Sequence, residues 1–170
     1  MTSKTNEKSL VLDATHVSQK IRRIAFEIYE SSFKEKSIVL AGIDGQGYEL
    51  AQLIAKELEI ISPLKTKLVR VSLDKLAPQQ SEVSVDCEEE EFRKKCIVLV
   101  DDVLNTGKTL AFGMKPFLTV EVKKIEVAVL VNRSHTQFPV QPKYTGFELS
   151  TTLNEHVEVV LGKKSAVFLR

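Results

Sequence analysis

The stretch Ile97-Val-Leu-Val-Asp-Asp-Val-Leu-Asn-Thr-Gly-Lys-Thr109 joins an apolar run, two acids and a glycine turn. The apolar run 97–100 is typical of a strand buried in a parallel sheet. The glycine turn leads into a helix that we predict over about 107–120. Because ligands of open parallel sheets lie beyond the carboxyl ends of the strands, the stretch predicts a ligand site in an α/β protein.

The turn carries the groups that bind a phosphate. Backbone N–H groups at the start of a helix are unpaired and lie at the positive end of the helix dipole. Gly107 lets the backbone approach an anion closely, and Thr106 and Thr109 add hydroxyl donors. Asp101 and Asp102 suit sugar hydroxyls or the water shell of Mg²⁺. Together these groups predict a site for a ribose 5-phosphate.

Two alternatives explain only part of this stretch. An acid before a helix can serve as an N-cap, but capping needs one acid and no Thr-Gly-Lys-Thr after it. Gly-Lys-Thr also ends the P-loop motif, whose first glycine would stand at position 102. Asp102 stands there instead, and its charge would repel nucleotide phosphates. We therefore favour the ribose-phosphate site.

At these residues the chain resembles the type I phosphoribosyltransferases. Their signature for phosphoribosyl pyrophosphate (PRPP) is a hydrophobic strand, two acids, two apolar residues, any residue and Thr-Gly-x-Thr, which residues 97–109 match throughout. Over about 10–161 the chain is most similar to the bifunctional pyrimidine-operon attenuator and uracil phosphoribosyltransferase group. Other matching positions include Leu12, Asp13, Ile24, Ala25, Glu27, 41–43, Gly47, 98–103, Gly113, Met114, 128–131, Arg133, His135 and Pro139. The resemblance implies a central parallel sheet flanked by helices, with a small hood over the base.

The resemblance also assigns roles to residues. The 5-phosphate of PRPP would be bound by Asn105, Thr106, Gly107, Lys108 and Thr109. Asp101 and Asp102 are the predicted catalytic residues, which would hold the ribose hydroxyls and, through water, the cofactor Mg²⁺. Asn132 and Arg133 would lie near the base. The implied reaction transfers phosphoribosyl to a nucleobase and releases pyrophosphate.

A second strand and glycine turn precede this motif. An apolar strand over 37–43 leads into Asp44, Gly45, Gln46 and Gly47, and a helix is predicted over 48–60. Glycine is common in ordinary turns, but beside the PRPP motif this turn is the expected pyrophosphate loop. The related group has Lys and Arg where this chain has Asp44 and Gln46. That change opposes pyrophosphate binding unless backbone N–H groups or Mg²⁺ compensate.

The rest of the chain predicts one domain over 10–170 after a flexible tail over 1–9. An amphipathic helix is expected over 15–34, and further strands over 67–73, 124–131, 146–151, 156–161 and 165–169. Residues 74–95 lack periodicity and are the predicted lid over the site, with a solvated hairpin as the alternative. The hood is expected over about 132–161.

Three positions bear on the lid and on the choice of base. The related group's lid begins Tyr-Arg-Asp-Asp where this chain has 72–75, so Lys75 is the candidate to replace the lid arginine. Purine phosphoribosyltransferases have an aspartate base where Asn105 stands and a hood lysine where Asn132 stands. Because a neutral amide cannot accept the proton, a pyrimidine such as uracil is favoured over a purine.

Composition bears on compartment and partners. A net charge of +1 and the lack of a long apolar run predict no membrane partner and no global attraction to nucleic acid. A polar N-terminus and two cysteines that suit a reducing environment predict a cytoplasmic protein. The expected partners are PRPP and a nucleobase or nucleoside monophosphate, within a homodimer or higher homo-oligomer.

The alternative function is a non-catalytic sensor of nucleotide or PRPP on the same fold. It would bind RNA or a partner protein, and the altered pyrophosphate loop and lid both fit it. Lys20, Arg22 and Arg23 on the first helix are either a solvated face, which we favour, or an RNA-binding edge.

Overall fold

The structure, a computed structural model, describes residues 7–77 and 82–170. Its strands are β1 (Ser9–Leu12), β2 (Ser37–Ile43), β3 (Lys65–Ser72), β4 (Ser84–Val85), β5 (Cys96–Leu104), β6 (Lys124–Asn132), β7 (Tyr144–Glu148), β8 (Val157–Val160) and β9 (Ala166–Leu169). Its helices are α1 (Ala14–Ser32), α2 (Gln46–Ile61), α3 (Lys108–Gly113) and α4 (Lys115–Leu118), with a short 3₁₀ turn at Glu89–Glu91.

Six strands form the main sheet in the order β4-β3-β2-β5-β6-β7. The five strands from β3 to β7 are parallel to their neighbours, and only the edge strand β4 is antiparallel. The strand of the PRPP motif, β5, lies between β2 and β6. The predicted α/β class with a central parallel sheet is confirmed.

The central strands β2, β5 and β6 carry long buried apolar runs because both faces of the sheet are covered. Along β5, Val98 and Val100 belong to one buried cluster, with residues of α1 and α2. Ile97 and Leu99 belong to the other, with Leu110 of α3 and Phe117 of α4. The sheet therefore has one core on each face, and its carboxyl-end turns stay at one edge.

The helix predicted over 107–120 is interrupted. It forms the two short helices α3 and α4, separated at Met114. Pro116 near the start of α4 explains the break, since proline has no N–H and its ring clashes with the carbonyl four residues earlier. Phe117 remains buried and contacts Phe92 edge-on, with 5.0 Å between the ring centroids.

Three antiparallel strands form a separate small sheet in the order β1-β9-β8, so the first strand of the described residues pairs with the last. Residues 1–6 of the predicted tail lie outside the described residues, and Ser9, the last residue of the predicted tail, begins β1. Ser9 pairs with Leu169, and the Lys8 ammonium lies 2.9 Å from the Glu158 carboxylate. Cross-strand pairing and this ion pair order the segment.

The small sheet also differs from the predicted hood over 132–161, because only β8 comes from that range. The segment around Phe147, which was expected in the hood, lies in β7 of the main sheet, where Phe147 pairs with Val131. Pairing with the long β6 edge satisfies the backbone of this segment and keeps it out of the small sheet.

The predicted lid over 74–95 contains residues 78–81, which lie outside the described residues. After them β4 pairs antiparallel with β3, matching Val71 to Val85. Because β4 runs back along β3, this part of the segment resembles the hairpin alternative. A lid function stays a prediction. Within the described ranges, no helix is both long and apolar enough to span a membrane.

Candidate active site

The two acids of the PRPP motif lie within β5 rather than after it. The strand extends to Leu104, which pairs with Asn132 of β6. Asp101 is only 3% exposed, whereas Asp102 is half-buried. The backbone N–H of Asp102 donates to Oδ1 of Asp101 over 2.9 Å. The sheet therefore holds one carboxylate inside the protein and the next at the surface of the site.

Burial raises the pKa of the Asp101 carboxyl well above its ordinary value of 3.8, and the neighbouring Asp102 charge raises it further. Lys75 acts in the opposite direction, because its ammonium lies 3.6 Å from Oδ1 of Asp101. Lys75 belongs to the predicted lid and is the candidate to replace the lid arginine. In the structure it contacts Asp101.

The phosphate turn 105–109 curls over the end of β5. Gly107 has φ of +87°, a left-handed conformation that favours glycine. The Thr106 carbonyl accepts hydrogen bonds from the N–H groups of Gln137 and Phe138 at 2.8 and 3.1 Å. A cavity of about 190 Å³ is lined by Lys75, Asp101, Val103, Leu104, Asn105, Thr106, Gly107, Lys108, Thr109 and Leu110. Asp101 and the predicted phosphate turn thus share one cavity.

Lys108 links this turn to the start of the predicted lid. Its ammonium donates to the Ala77 carbonyl over 2.7 Å, while its backbone N–H approaches Oγ1 of Thr106 at 3.3 Å. The side chain therefore holds the lid segment, and the backbone N–H belongs to the turn. The start of the predicted lid is therefore held by two contacts, from Lys75 to Asp101 and from Lys108 to the Ala77 carbonyl.

Arg133 holds the first residue of the turn, Asn105, by a hydrogen bond. It is 5% exposed, and its Nη1 donates to Oδ1 of Asn105 over 3.3 Å. Its Nε donates to Oγ1 of Thr151 at 2.9 Å, and its Nη2 to the carbonyls of Thr152 and Glu155 at 3.2 and 2.6 Å. The guanidinium predicted near the base is thus used within the protein, because four acceptors surround it. Its acceptors at 151–155 are distant in sequence, so the sequence carries no signal for them.

Asn132 lies at the carboxyl end of β6, beside the end of β5. Its amide nitrogen donates to Glu148 over 3.3 Å, and its amide oxygen accepts from the N–H of Ser134 over 3.0 Å. The side chain is therefore fixed at the edge of the site, which leaves its predicted contact with a base as a prediction.

The second turn approaches Asp101 of β5 at Gly47. A Cβ at this position would lie 2.8 Å from Oδ1 of Asp101 and 2.9 Å from the Val100 carbonyl oxygen. Only glycine lets the start of α2 approach the acid pair so closely. Gly45 caps α2 with φ of +97° and no side-chain hydrogen bond, so the first N–H groups of α2 lack a side-chain cap. The two glycine turns therefore flank Asp101.

The side chains of Gln46 and Asp44 have uses that the sequence did not indicate. Oε1 of Gln46 accepts from the N–H of Leu161 over 2.9 Å, which ties the second turn to the end of β8. Oδ1 of Asp44 accepts from the Gly45 N–H over 3.1 Å and lies 3.6 Å from Nη1 of Arg70. Arg70, on β3, was missed because its strand and the turn are separated in sequence. Its only signal was a cation near the end of a strand.

The donor set limits the metals that could bind. The described residues contain no group of three or more His, Cys, Asp or Glu side chains that could hold a metal ion. The acid pair therefore offers at most two carboxylates. Mg²⁺ commonly takes one or two carboxylates and completes its shell with water and substrate phosphates, so the residues fit that ion.

The chain belongs to the phosphoribosyl transferase domain family, whose match covers residues 9–163. It is 34% identical to the bifunctional protein PyrR of Clostridium acetobutylicum over 161 residues, which cover 91% of this chain and 90% of that protein. It is 32% identical to the bifunctional protein PyrR of Fusobacterium nucleatum over 173 residues, which cover 94% and 97% of the two chains.

Solved structures show the same fold. A hypoxanthine phosphoribosyltransferase of Trypanosoma cruzi superposes with a TM-score of 0.73 at 12% identity, covering 88% of this chain and 84% of that one. A hypoxanthine-guanine phosphoribosyltransferase of Bacillus anthracis gives 0.69 at 17% identity, covering 85% and 84%. The predicted type I phosphoribosyltransferase fold and the predicted enzyme class, a phosphoribosyltransferase, are confirmed.

Proposed function

We propose that this protein transfers the phosphoribosyl group of PRPP to a pyrimidine base such as uracil and releases pyrophosphate, with Mg²⁺ as cofactor. The observation that carries the proposal is the shared cavity, which Asp101 and the turn 105–109 line together. A phosphate on the turn would place its ribose near Asp101. A carboxylate and a phosphate-binding turn in one cavity suit the two ends of a ribose 5-phosphate.

Catalysis would rest on orientation and on electrostatics. The backbone N–H groups and hydroxyls of the turn would bind the 5-phosphate, while Asp101 and Asp102 would hold the ribose hydroxyls. The transition state is cation-like at ribose C1, so the buried Asp101 carboxylate would stabilise it through the low local dielectric. Mg²⁺ bound at the acid pair would supply neutralisation of the charge on the departing pyrophosphate.

The choice of a pyrimidine is supported by the amides at the site. Asn105 directs its amide oxygen at Arg133 and has no carboxylate with which to accept a proton from a purine. Asn132 is neutral and already bonded to Glu148 and Ser134. We expect that a pyrimidine such as uracil needs neither an aspartate base at position 105 nor a lysine at position 132.

A second candidate function is a sensor that binds PRPP or a nucleotide without turnover and regulates an RNA or protein partner. It is favoured by the second turn, where Gln46 is bonded to Leu161 and Asp44 replaces a cation. Such a turn would weaken pyrophosphate binding while leaving the 5-phosphate turn intact. The sensor would therefore retain affinity for nucleoside monophosphates.

Thermal unfolding with PRPP, ribose 5-phosphate, UMP and GMP, each with and without Mg²⁺, tests the site. A ligand at about a hundred times its dissociation constant should stabilise the fold by roughly 2.7 kcal/mol. The double change Asp101→Asn, Asp102→Asn should abolish the Mg²⁺-dependent part of PRPP binding. Its matched control is Glu57→Gln, Glu59→Gln, which removes two carboxylates on the later half of α2.

A parallel assay follows UMP formation from uracil and PRPP. Turnover that requires Mg²⁺ and both acids would support the proposal. UMP binding with no turnover of any base would favour the sensor. No stabilisation by any ribose 5-phosphate at millimolar concentration would refute both functions.

A further inference from the structure

We propose that Arg70 supplies the cation for the pyrophosphate group of PRPP, in place of the cations missing from the turn 44–47. Asp44 would hold Arg70 at the turn before the ligand binds. This inference rests on the proposed function and names a binding residue for its pyrophosphate.

The backbone of Arg70 is fixed beside the second turn. Arg70 pairs with Gly42 on β2, two positions before the turn begins. On its other side, its N–H donates to Oδ1 of Asp86 over 2.8 Å, and its carbonyl accepts from the Asp86 N–H over 3.3 Å. Hydrogen bonds on both sides of β3 therefore hold the base of this side chain in register.

The guanidinium lies over the first turn of α2. Its central carbon is 4.3 Å from the centroid of the Tyr48 ring, a cation–π distance. The contact with the Tyr48 ring holds the guanidinium at the first turn of α2. The start of α2 has no side-chain cap, and the N–H groups of a helix start also favour an anion. Arginine in such a setting suits phosphate oxygens, which its planar fork can bind in pairs.

The contact with Asp44 is one that a ligand can replace. Nη1 of Arg70 is 3.6 Å from Oδ1 of Asp44, and the two side chains are 46% and 54% exposed. Exposed ion pairs contribute little to stability, because water and salt screen them. A pyrophosphate carries more charge than one carboxylate and would compete for the same guanidinium.

Charge at the turn supports this assignment. Asp44 is the one charged residue among 44–47, so the turn by itself carries a charge of −1. Arg70 brings the local sum to zero and places its positive charge on the same side as the helix start. Two cations lie near the site in the described structure. Lys75 contacts Asp101 of β5, whereas Arg70 contacts Asp44 of this turn.

Arg70→Gln tests the inference, with Arg70→Lys as the charge-preserving variant. Calorimetry would measure the affinities for Mg²⁺-PRPP, Mg²⁺-pyrophosphate and UMP. We expect PRPP and pyrophosphate to bind about ten- to a hundredfold more weakly to Arg70→Gln, as for loss of charge-assisted hydrogen bonds. UMP, which has no pyrophosphate, should keep its affinity within about twofold, a readout that also shows an intact fold. Arg70→Lys should recover part of the loss, because it keeps the charge without the fork.

Arg170→Gln is the matched control, since the Arg170 side chain is as exposed as that of Arg70, at 46%, and pairs with Glu158 of β8. It should leave all three affinities unchanged. Asp44→Asn should strengthen PRPP binding in the native background, because it removes a repelling charge and releases Arg70. The gain should be smaller when the change is combined with Arg70→Gln, because only the removal of the repelling charge then remains. Equal PRPP affinity in the native protein and Arg70→Gln would overturn the inference while leaving the proposed function standing. Native protein that binds none of the three ligands would overturn both.

Discussion

The two glycine turns at the carboxyl edge of the sheet begin alike and are completed differently. Each follows a buried parallel strand and uses a glycine with positive φ, Gly107 in one and Gly45 in the other. The turn 105–109 carries its own hydroxyls and lysine, so its chemistry is visible as a motif. The turn 44–47 has an acid instead, and its neighbouring cation, Arg70, comes from β3. A turn can thus lack a motif residue while the tertiary structure supplies its charge.

Even the first turn depends on distant residues. Asn105 is held by Arg133, which also binds three groups between 151 and 155. The turn 44–47 depends on Leu161 through Gln46. Both turns are therefore tied to the later part of the chain, but a buried guanidinium holds the first and a single amide holds the second. The first should be the more costly to disturb.

Arg133→Met should cause the largest loss. It removes a buried, charged donor from the carbonyls of Thr152 and Glu155, and we expect a loss of about 3 kcal/mol, the scale of one or two hydrogen bonds to a charged group. Urea unfolding followed by circular dichroism would measure it. Arg22→Met, on the exposed side of α1, is the control and should change stability little. A loss as small as that of the control would show that the first turn does not rely on this clamp.

Gly47→Ala should have the next largest effect. The added Cβ would meet Oδ1 of Asp101 and the Val100 backbone, so α2 must shift, at a cost of about 1–3 kcal/mol. Mg²⁺-PRPP affinity should fall as well, because the shift moves the second turn away from the acids.

Gly45→Ala is the control for the Gly47 substitution. Nothing lies within 4 Å of its added Cβ, so its cost of about 1–2 kcal/mol would come from positive φ alone. Calorimetric titration of both variants would separate close approach from backbone strain. If Gly47→Ala bound Mg²⁺-PRPP as tightly as the native protein, the close approach of Gly47 to Asp101 would not matter for the ligand.

Asp101→Asn should have the smallest effect on stability, and the effect should be favourable. Its folded pKa lies above the ordinary value, so the folded state binds more protons, and stability falls as pH rises through the raised pKa. The amide removes this dependence and should add about 0.5–2 kcal/mol at neutral pH, while Mg²⁺-PRPP binding weakens. Thermal unfolding between acidic and neutral pH would show it. A variant less stable than the native protein at neutral pH would mean that Lys75 and the backbone bond stabilise the charged carboxylate after all.

Local sequence patterns determined the regular elements of the main sheet and the first turn. The strand at 37–43 has the predicted bounds, and the helices predicted over 15–34 and 48–60 form α1 and α2 with small shifts at their ends. These elements follow from the spacing of apolar residues, which burial on one or both faces imposes. The role of the Asp-Asp and Thr-Gly-Lys-Thr residues could also be predicted from the sequence. A strand, a turn and a helix that follow one another bring these neighbouring residues to one site.

Only the tertiary structure decided which distant groups complete the site. The pairing of β1 with β9 joins strands that are more than 150 residues apart in sequence, and no local pattern encodes it. Arg70 reaches the second turn because β3 lies beside β2, and Arg133 is buried because 151–155 folds back over it. Such contacts depend on which surfaces meet once the sheet has formed, since hydrogen bonds and ion pairs act only over a few ångströms. The sequence shows that Arg70 and Arg133 are present, but only the tertiary structure determines which residues they contact.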